Sequence, residues 1–134
     1  MRFMVLMIPG VYRGNKKIDP NFVPDAEKME KMGQFNEELK KAVTLMSLDG
    51  LQPLTMGARV AFSHGKATVT DGPFIEAKEV LGGYWMLQAK SKEQVVEWMK
   101  RCPADDGDVI EIRQVFELTD FPIKVQEAAR GGKK

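Results

Sequence analysis

One cysteine and one histidine are all this chain has of the two side chains most used for metal binding and nucleophilic chemistry. A lone Cys102 excludes an internal disulfide and any zinc site built from paired thiolates. It follows Val95, Trp98 and Met99 and precedes Pro103, which reads as a packed thiol at a helix end. Net charge is also lacking: twenty Lys and Arg against nineteen Asp and Glu leave +1. A nucleic-acid binder concentrates basic residues on one surface. Here Lys124, Arg130, Lys133 and Lys134 are scattered along a C-terminal tail, as on a solvated end, so no direct nucleic-acid partner is expected.

No apolar run is long enough to span a bilayer. The N-terminal Met1-Arg2-Phe3-Met4-Val5-Leu6-Met7-Ile8 is short and lacks the small-residue cleavage site of a signal peptide. It reads as a buried strand, and the expectation is a cytoplasmic protein with no membrane partner. Glycine-rich phosphate loops are missing too, because Gly82-Gly83 precedes a strand and lacks the spacing. No serine sits in a nucleophile elbow, and no histidine and carboxylate cluster has metal-ligand spacing, so neither a metal nor a cofactor is expected. Repeats, low-complexity tracts and internal linkers do not occur.

What is present is one domain's worth of chain: 134 residues, 43% apolar and 29% charged. Residues 2–8 are apolar on both alternating faces, the pattern of a strand covered on both sides. Pro24 and Asp25 open a helix over 24–45, with Met29, Met32, Phe35, Leu39, Ala42, Val43 and Met46 at three- and four-residue steps. A short strand follows, then Asp49-Gly50 as a turn. Residues 58–63 and 66–71 flank His64-Gly65, a two-residue connection that predicts a hairpin. Residues 83–89 form a strand that is again apolar on both faces. Ser91 with Gln94 opens a second helix, and 109–118 is the last strand. The domain is read as 1–118, with 119–134 a tail expected to be partly disordered.

Strand, helix, strand, inserted hairpin, strand, helix, strand predicts an α+β, ferredoxin-like split-βαβ sandwich with both helices on one face. Right-handed crossovers bring the two doubly apolar strands together at the centre. Two helices cover one face only, and the other leaves an apolar patch too large for a monomer. A homodimer packed through that face is the expectation.

Several residues carry the candidate chemistry. His64 at the hairpin tip reads as an exposed turn residue. Asp71 before Gly72-Pro73 has two readings: a carboxylate accepting hydrogen bonds from the following amides, or an acid/base group directed into a pocket. Phe74, Glu76 and Lys78 share a face if extended, and Glu76 and Lys78 could equally form a surface pair. Arg113 shares a face of the last strand with Glu111; an anion contact and an inter-strand ion pair both fit. Asn36 and Glu38 flank the apolar stripe of the first helix, either at the surface or at a pocket rim.

The stretches Phe35-Asn36-Glu37-Glu38-Leu39, Gly50-Leu51-Gln52-Pro53 and Thr70-Asp71-Gly72-Pro73-Phe74-Ile75-Glu76-Ala77-Lys78-Glu79 together resemble the YCII-related family, and within it the DGPF subgroup. Leu81-Gly82-Gly83-Tyr84-Trp85 and Val109-Ile110-Glu111-Ile112-Arg113 continue the likeness. Ile75 and Ala77 depart from the alanine and threonine often found in the subgroup. The resemblance implies a ferredoxin-like fold that pairs as a dimeric α+β barrel. It also implies acid/base or lyase-like chemistry from a histidine and aspartate pair, yet the first helix has no histidine to complete one. An association with sigma-factor genes is a further implication.

Three functions follow: a small-molecule-binding homodimer, an enzyme using Asp71, and a non-catalytic regulatory protein. Asp71 is the expected catalytic residue. Asn36, Phe74, Glu76, Lys78, Tyr84 and Arg113 are the expected ligand contacts.

Overall fold

A computed structural model of the chain describes residues 1–10, 25–71 and 80–131. Four strands form the main sheet: β1 (Arg2–Ile8), β2 (Thr44–Gly50), a fifth-in-sequence strand β5 (Gly83–Gln88) and β6 (Val109–Gln114). Their order is β2-β5-β1-β6, and every neighbouring pair is antiparallel. The doubly apolar strands β1 and β5 therefore lie side by side at the centre, as the crossover argument requires. Strands β3 (Ala58–Ser63) and β4 (Lys66–Asp71) form a separate two-stranded sheet. This is the ferredoxin-like α+β arrangement with an inserted hairpin.

Helix α1 (Ala26–Ala42) begins at Asp25, whose carboxylate accepts a hydrogen bond from the Lys28 amide at 2.8 Å. The cap supplies one of the acceptors that a helix start lacks. The helix stops short of the sequence estimate because β-branched Val43 and Thr44 pass directly into the strand. Val43 is extended (φ −133°) while its amide still reaches Leu39 O at 3.1 Å. Helix α2 (Lys92–Met99) starts at Ser91, which accepts from the Gln94 amide at 3.1 Å, as its capping signature predicts.

Both helices pack on one face of the sheet. Phe3, Val5, Trp85 and Leu87 meet Phe35, Leu39, Val43, Val95 and Met99 there, all buried. The pairs Phe3↔Leu87 and Val5↔Trp85 place these side chains opposite one another across β1 and β5. Phe35 meets Trp85 edge-on at 6.4 Å between ring centroids.

The register of β2 holds a feature that periodicity misses. A bulge between Leu45 and Ser47 sets Leu45 opposite Leu87 and Leu48 opposite Trp85. Two leucines three residues apart thus reach the same core, while Met46 is exposed. The strand also runs through Asp49 and Gly50, which pair with Tyr84 and Gly83 instead of turning.

At the other end, β6 stops at Gln114, four residues before the expected limit. A 3-10 turn at Leu118–Asp120 carries a reciprocal cap, with the Glu117 amide donating to Asp120 at 2.7 Å. Phe116 consequently leaves the core face and stacks on Phe121, with centroids 4.6 Å apart. A third helix, α3 (Ile123–Ala129), follows; no apolar period in the sequence announces it.

Candidate functional site

A cavity of about 440 Å³ lies between α1 and the sheet, at the end where β1 and β2 finish and β5 starts. Its size falls within the range of small-molecule sites, roughly 300–1,000 Å³. Met7, Met29, Met32, Leu48 and Trp85 supply a largely apolar wall. Met29 belongs to the α1 stripe yet is exposed, because at that level the stripe faces the cavity instead of the core.

Asn36 is the polar group inside this wall. It is only 8% exposed, and its Oδ1 accepts a hydrogen bond from Trp85 Nε1 at 2.8 Å. Since indole nitrogen is a donor only, that bond fixes which end of the amide faces Trp85. That bond leaves the Nδ2 donors of this cavity-lining residue uncommitted to Trp85. Of the two positions open to Asn36, surface or pocket rim, it takes one in the cavity wall, buried.

Gly33 lies one turn before Asn36 on the same helix and also lines the cavity. A Cβ there would meet nothing within 4 Å. Glycine inside a helix costs about 0.5–1 kcal/mol relative to alanine, and what it leaves here is open cavity.

The rim is ordered by carboxylates. Asp108 accepts from the Gly10 amide at 2.8 Å and from the Asp105 amide at 2.9 Å. Asp105 pairs with Lys28 of α1. Gly10 is needed where it is: a Cβ there would come within 2.7 Å of the Gly107 carbonyl carbon. Behind α1, Cys102 Sγ lies 3.9 Å from Met32 Sδ. Burial, and secondarily the Asp108 charge, pushes its thiol up to about 11. The cysteine is a packed, protonated group.

Of the other expected residues, Tyr84, Arg113 and Asp71 are among those described, and only Tyr84 reaches the cavity. Tyr84 borders the cavity, but its hydroxyl donates to Asp49 at 2.8 Å across the β5–β2 pair. The same bond raises the phenol's pKa, since Asp49 favours the protonated form. Arg113 lies on edge strand β6, exposed, and is paired with Glu111 at 3.3 Å. The inter-strand alternative raised for it is an ion pair within one strand. Asp71 ends β4 opposite Ala58 and is exposed. Neither Asp71 nor Arg113 lines the cavity. Phe74, Glu76 and Lys78, with the Gly72-Pro73 turn, lie outside the described residues.

Sequence reasoning missed Gly33, Trp85 as an orienting group, and the Asp105–Asp108 rim. Gly33 carried a signal, a glycine inside an otherwise strong helix period. The Trp85–Asn36 bond, 49 positions apart, carried none.

The order β2-β5-β1-β6 with both principal helices on one face defines the ferredoxin-like class of α+β proteins. Within that class, the profile of the YCII-related domain matches residues 1–119, and the chain belongs to this family. A search of curated proteins returned no match. Among the described residues, no helix is long and apolar enough to cross a membrane.

Proposed function

We propose that the protein is a homodimer, of the DGPF kind within its family, that binds a small molecule in the cavity beneath α1. The carrying observation is Asn36: a buried amide whose oxygen is committed to Trp85 and whose nitrogen remains for an incoming acceptor. With methionine, leucine and indole around it, the site suits a compact apolar or aromatic body bearing a carbonyl or carboxylate oxygen. Gly82 and Gly83, which also border the cavity, connect it in sequence to the Asp71–Lys78 segment.

The homodimer part rests on the sheet's second face. Met4, Leu6, Tyr84 and Met86 are half-buried there, and none belongs to the helix-covered core. Glu111–Arg113 on one side and Asp49–Tyr84 on the other give this apolar strip polar flanks, the anatomy of an interface. An acid/base role for Asp71 has less behind it, because that residue ends an exposed hairpin.

The test is a Trp-fluorescence titration with benzoate, phenylacetate and hexanoate and their amides, since Trp85 lines the site. Saturable quenching is expected in wild type. Gly33→Phe, which fills the cavity, should abolish it, and Asn36→Leu should weaken it about tenfold or more, as for a lost buried hydrogen bond. A response unchanged by Gly33→Phe would place the ligand elsewhere and overturn the assignment.

A further inference from the structure

The β3–β4 hairpin is exposed at every strand residue. Its register nevertheless sorts its side chains by face. Val60 pairs with Val69 and Phe62 with Ala67, while Arg59–Thr70, Ala61–Thr68 and Ser63–Lys66 form the other side. One face is therefore apolar along its outer two pairs, with Phe62 78%, Val69 65% and Val60 53% exposed, and ends at the base in Ala58 and the Asp71 carboxylate. The connection is well made: His64 and Gly65 both have positive φ, 51° and 76°, as a two-residue type I′ turn requires. A lone two-stranded hairpin is marginally stable in water, and strict alternation is the pattern of a strand pair covered on one side. Among the described elements, the hairpin's strands make substantial contact only with each other.

We propose that this hairpin is a dimerisation arm, whose Val60, Phe62 and Val69 face lies against a second copy of the chain. The inference deepens the homodimer reading and rests on it. Area is what favours a second copy. At about 4.8 Å between strands and about 3.3 Å per residue, a four-stranded sheet six residues long presents roughly 380 Å². Each partner in a stable complex buries about 800 Å², so sheet against sheet supplies roughly half. The arm's face contributes roughly 190 Å², and the patch it covers on the partner roughly as much again. Together these approach the required area. A net charge of +1 leaves little repulsion between copies, and the apolar face carries no basic side chain that would suit an anionic partner.

Sedimentation velocity over a concentration series tests this with wild type, Phe62→Lys, Val69→Lys and, on the polar face, Thr68→Lys. Circular dichroism serves as the check on folding, and the exposure of all three positions means the core is untouched. Wild type and Thr68→Lys are expected to dimerise alike, while Phe62→Lys and Val69→Lys raise the dimer Kd at least tenfold. Dimers equally tight in all four overturn the arm and leave the homodimer standing. Equal weakening by Thr68→Lys also overturns it, because the covered face is then not the apolar one. A wild type monomeric at 100 µM (roughly the upper range of cellular and assay concentrations) sinks both the arm and the homodimer reading.

Discussion

Asn36, proposed as the ligand's polar contact, is also a structural residue. Its oxygen satisfies the indole N–H of Trp85 inside the core, so Asn36→Leu leaves that donor buried without a partner. The expected loss is about 1–3 kcal/mol in urea denaturation. Cys102 behaves oppositely, as a group made inert by its surroundings. With its thiol pushed up to about 11, it should react with aromatic disulfide reagents at pH 8 at least tenfold more slowly in the folded protein than in urea, as expected when the thiolate fraction falls. Equal rates would show the thiol is not shielded. Because its folded pKa lies above the unfolded one, the stability it carries is intact below about pH 9 and lost as pH rises through about 11. The Arg2–Glu117 pair, bound through two contacts at 2.8 and 3.0 Å, has the reverse sign. The hydrogen bond from Arg2 holds the Glu117 carboxyl below its usual range. Its contribution is present above pH 4.5 and fades as pH falls below that value. Thermal melts should accordingly show Glu117→Gln less stable than wild type at pH 7, with the gap closing in acid.

Secondary-structure elements were legible wherever a local signal fixed them. Ser91–Gln94 marked the start of α2, and His64-Gly65 marked the hairpin turn to the residue. Boundaries set by long-range contacts were not legible. β2 gains its last residues because Asp49 and Gly50 find partners on β5, and β6 loses its last ones to the Glu117–Asp120 cap. Within α1, Gly33 offers a test at the level of the element. Gly33→Ala adds helix propensity and its methyl meets no atom, so stability should rise by about 0.5–1 kcal/mol, read from the urea midpoint at constant m value. At the opposite extreme, Gly10→Ala must push two backbone segments apart. It is expected to destabilise by more than about 1 kcal/mol and to disturb the Asp108 rim of the cavity, since backbone strain of this kind is not relieved by a rotamer change.

For the whole molecule, the decisive asymmetry among the described residues is that α1 and α2 both pack on one face of the sheet, and the proposed homodimer would cover the other. Leu6→Lys at the centre of that other face should shift sedimentation toward monomer while leaving circular dichroism unchanged. A dimer as tight as wild type would argue for association through another surface. Trp85 faces the helix-covered side of β5 and Leu6 the other side of β1, while Tyr84, on the Leu6 side, also borders the cavity where β5 begins. Gly33 lines the cavity and Leu6 does not, so the proposed binding and the proposed dimer should respond to different mutations, with Gly33→Phe expected to spare the dimer and Leu6→Lys expected to spare cavity binding.

The sequence by itself determined the α+β architecture, the central pairing of its two doubly apolar strands and the hairpin. These follow from periodicity, capping residues and turn chemistry, which act over a few positions. It also determined the family, through runs such as Thr70–Glu79. Only the tertiary structure decided where a pocket lies and which polar group stands in it. The Asn36 amide is oriented by a tryptophan 49 residues away, and the Leu45–Leu48 register depends on a bulge that pairing with β5 selects. Such contacts join distant positions, and no local pattern of residues encodes them.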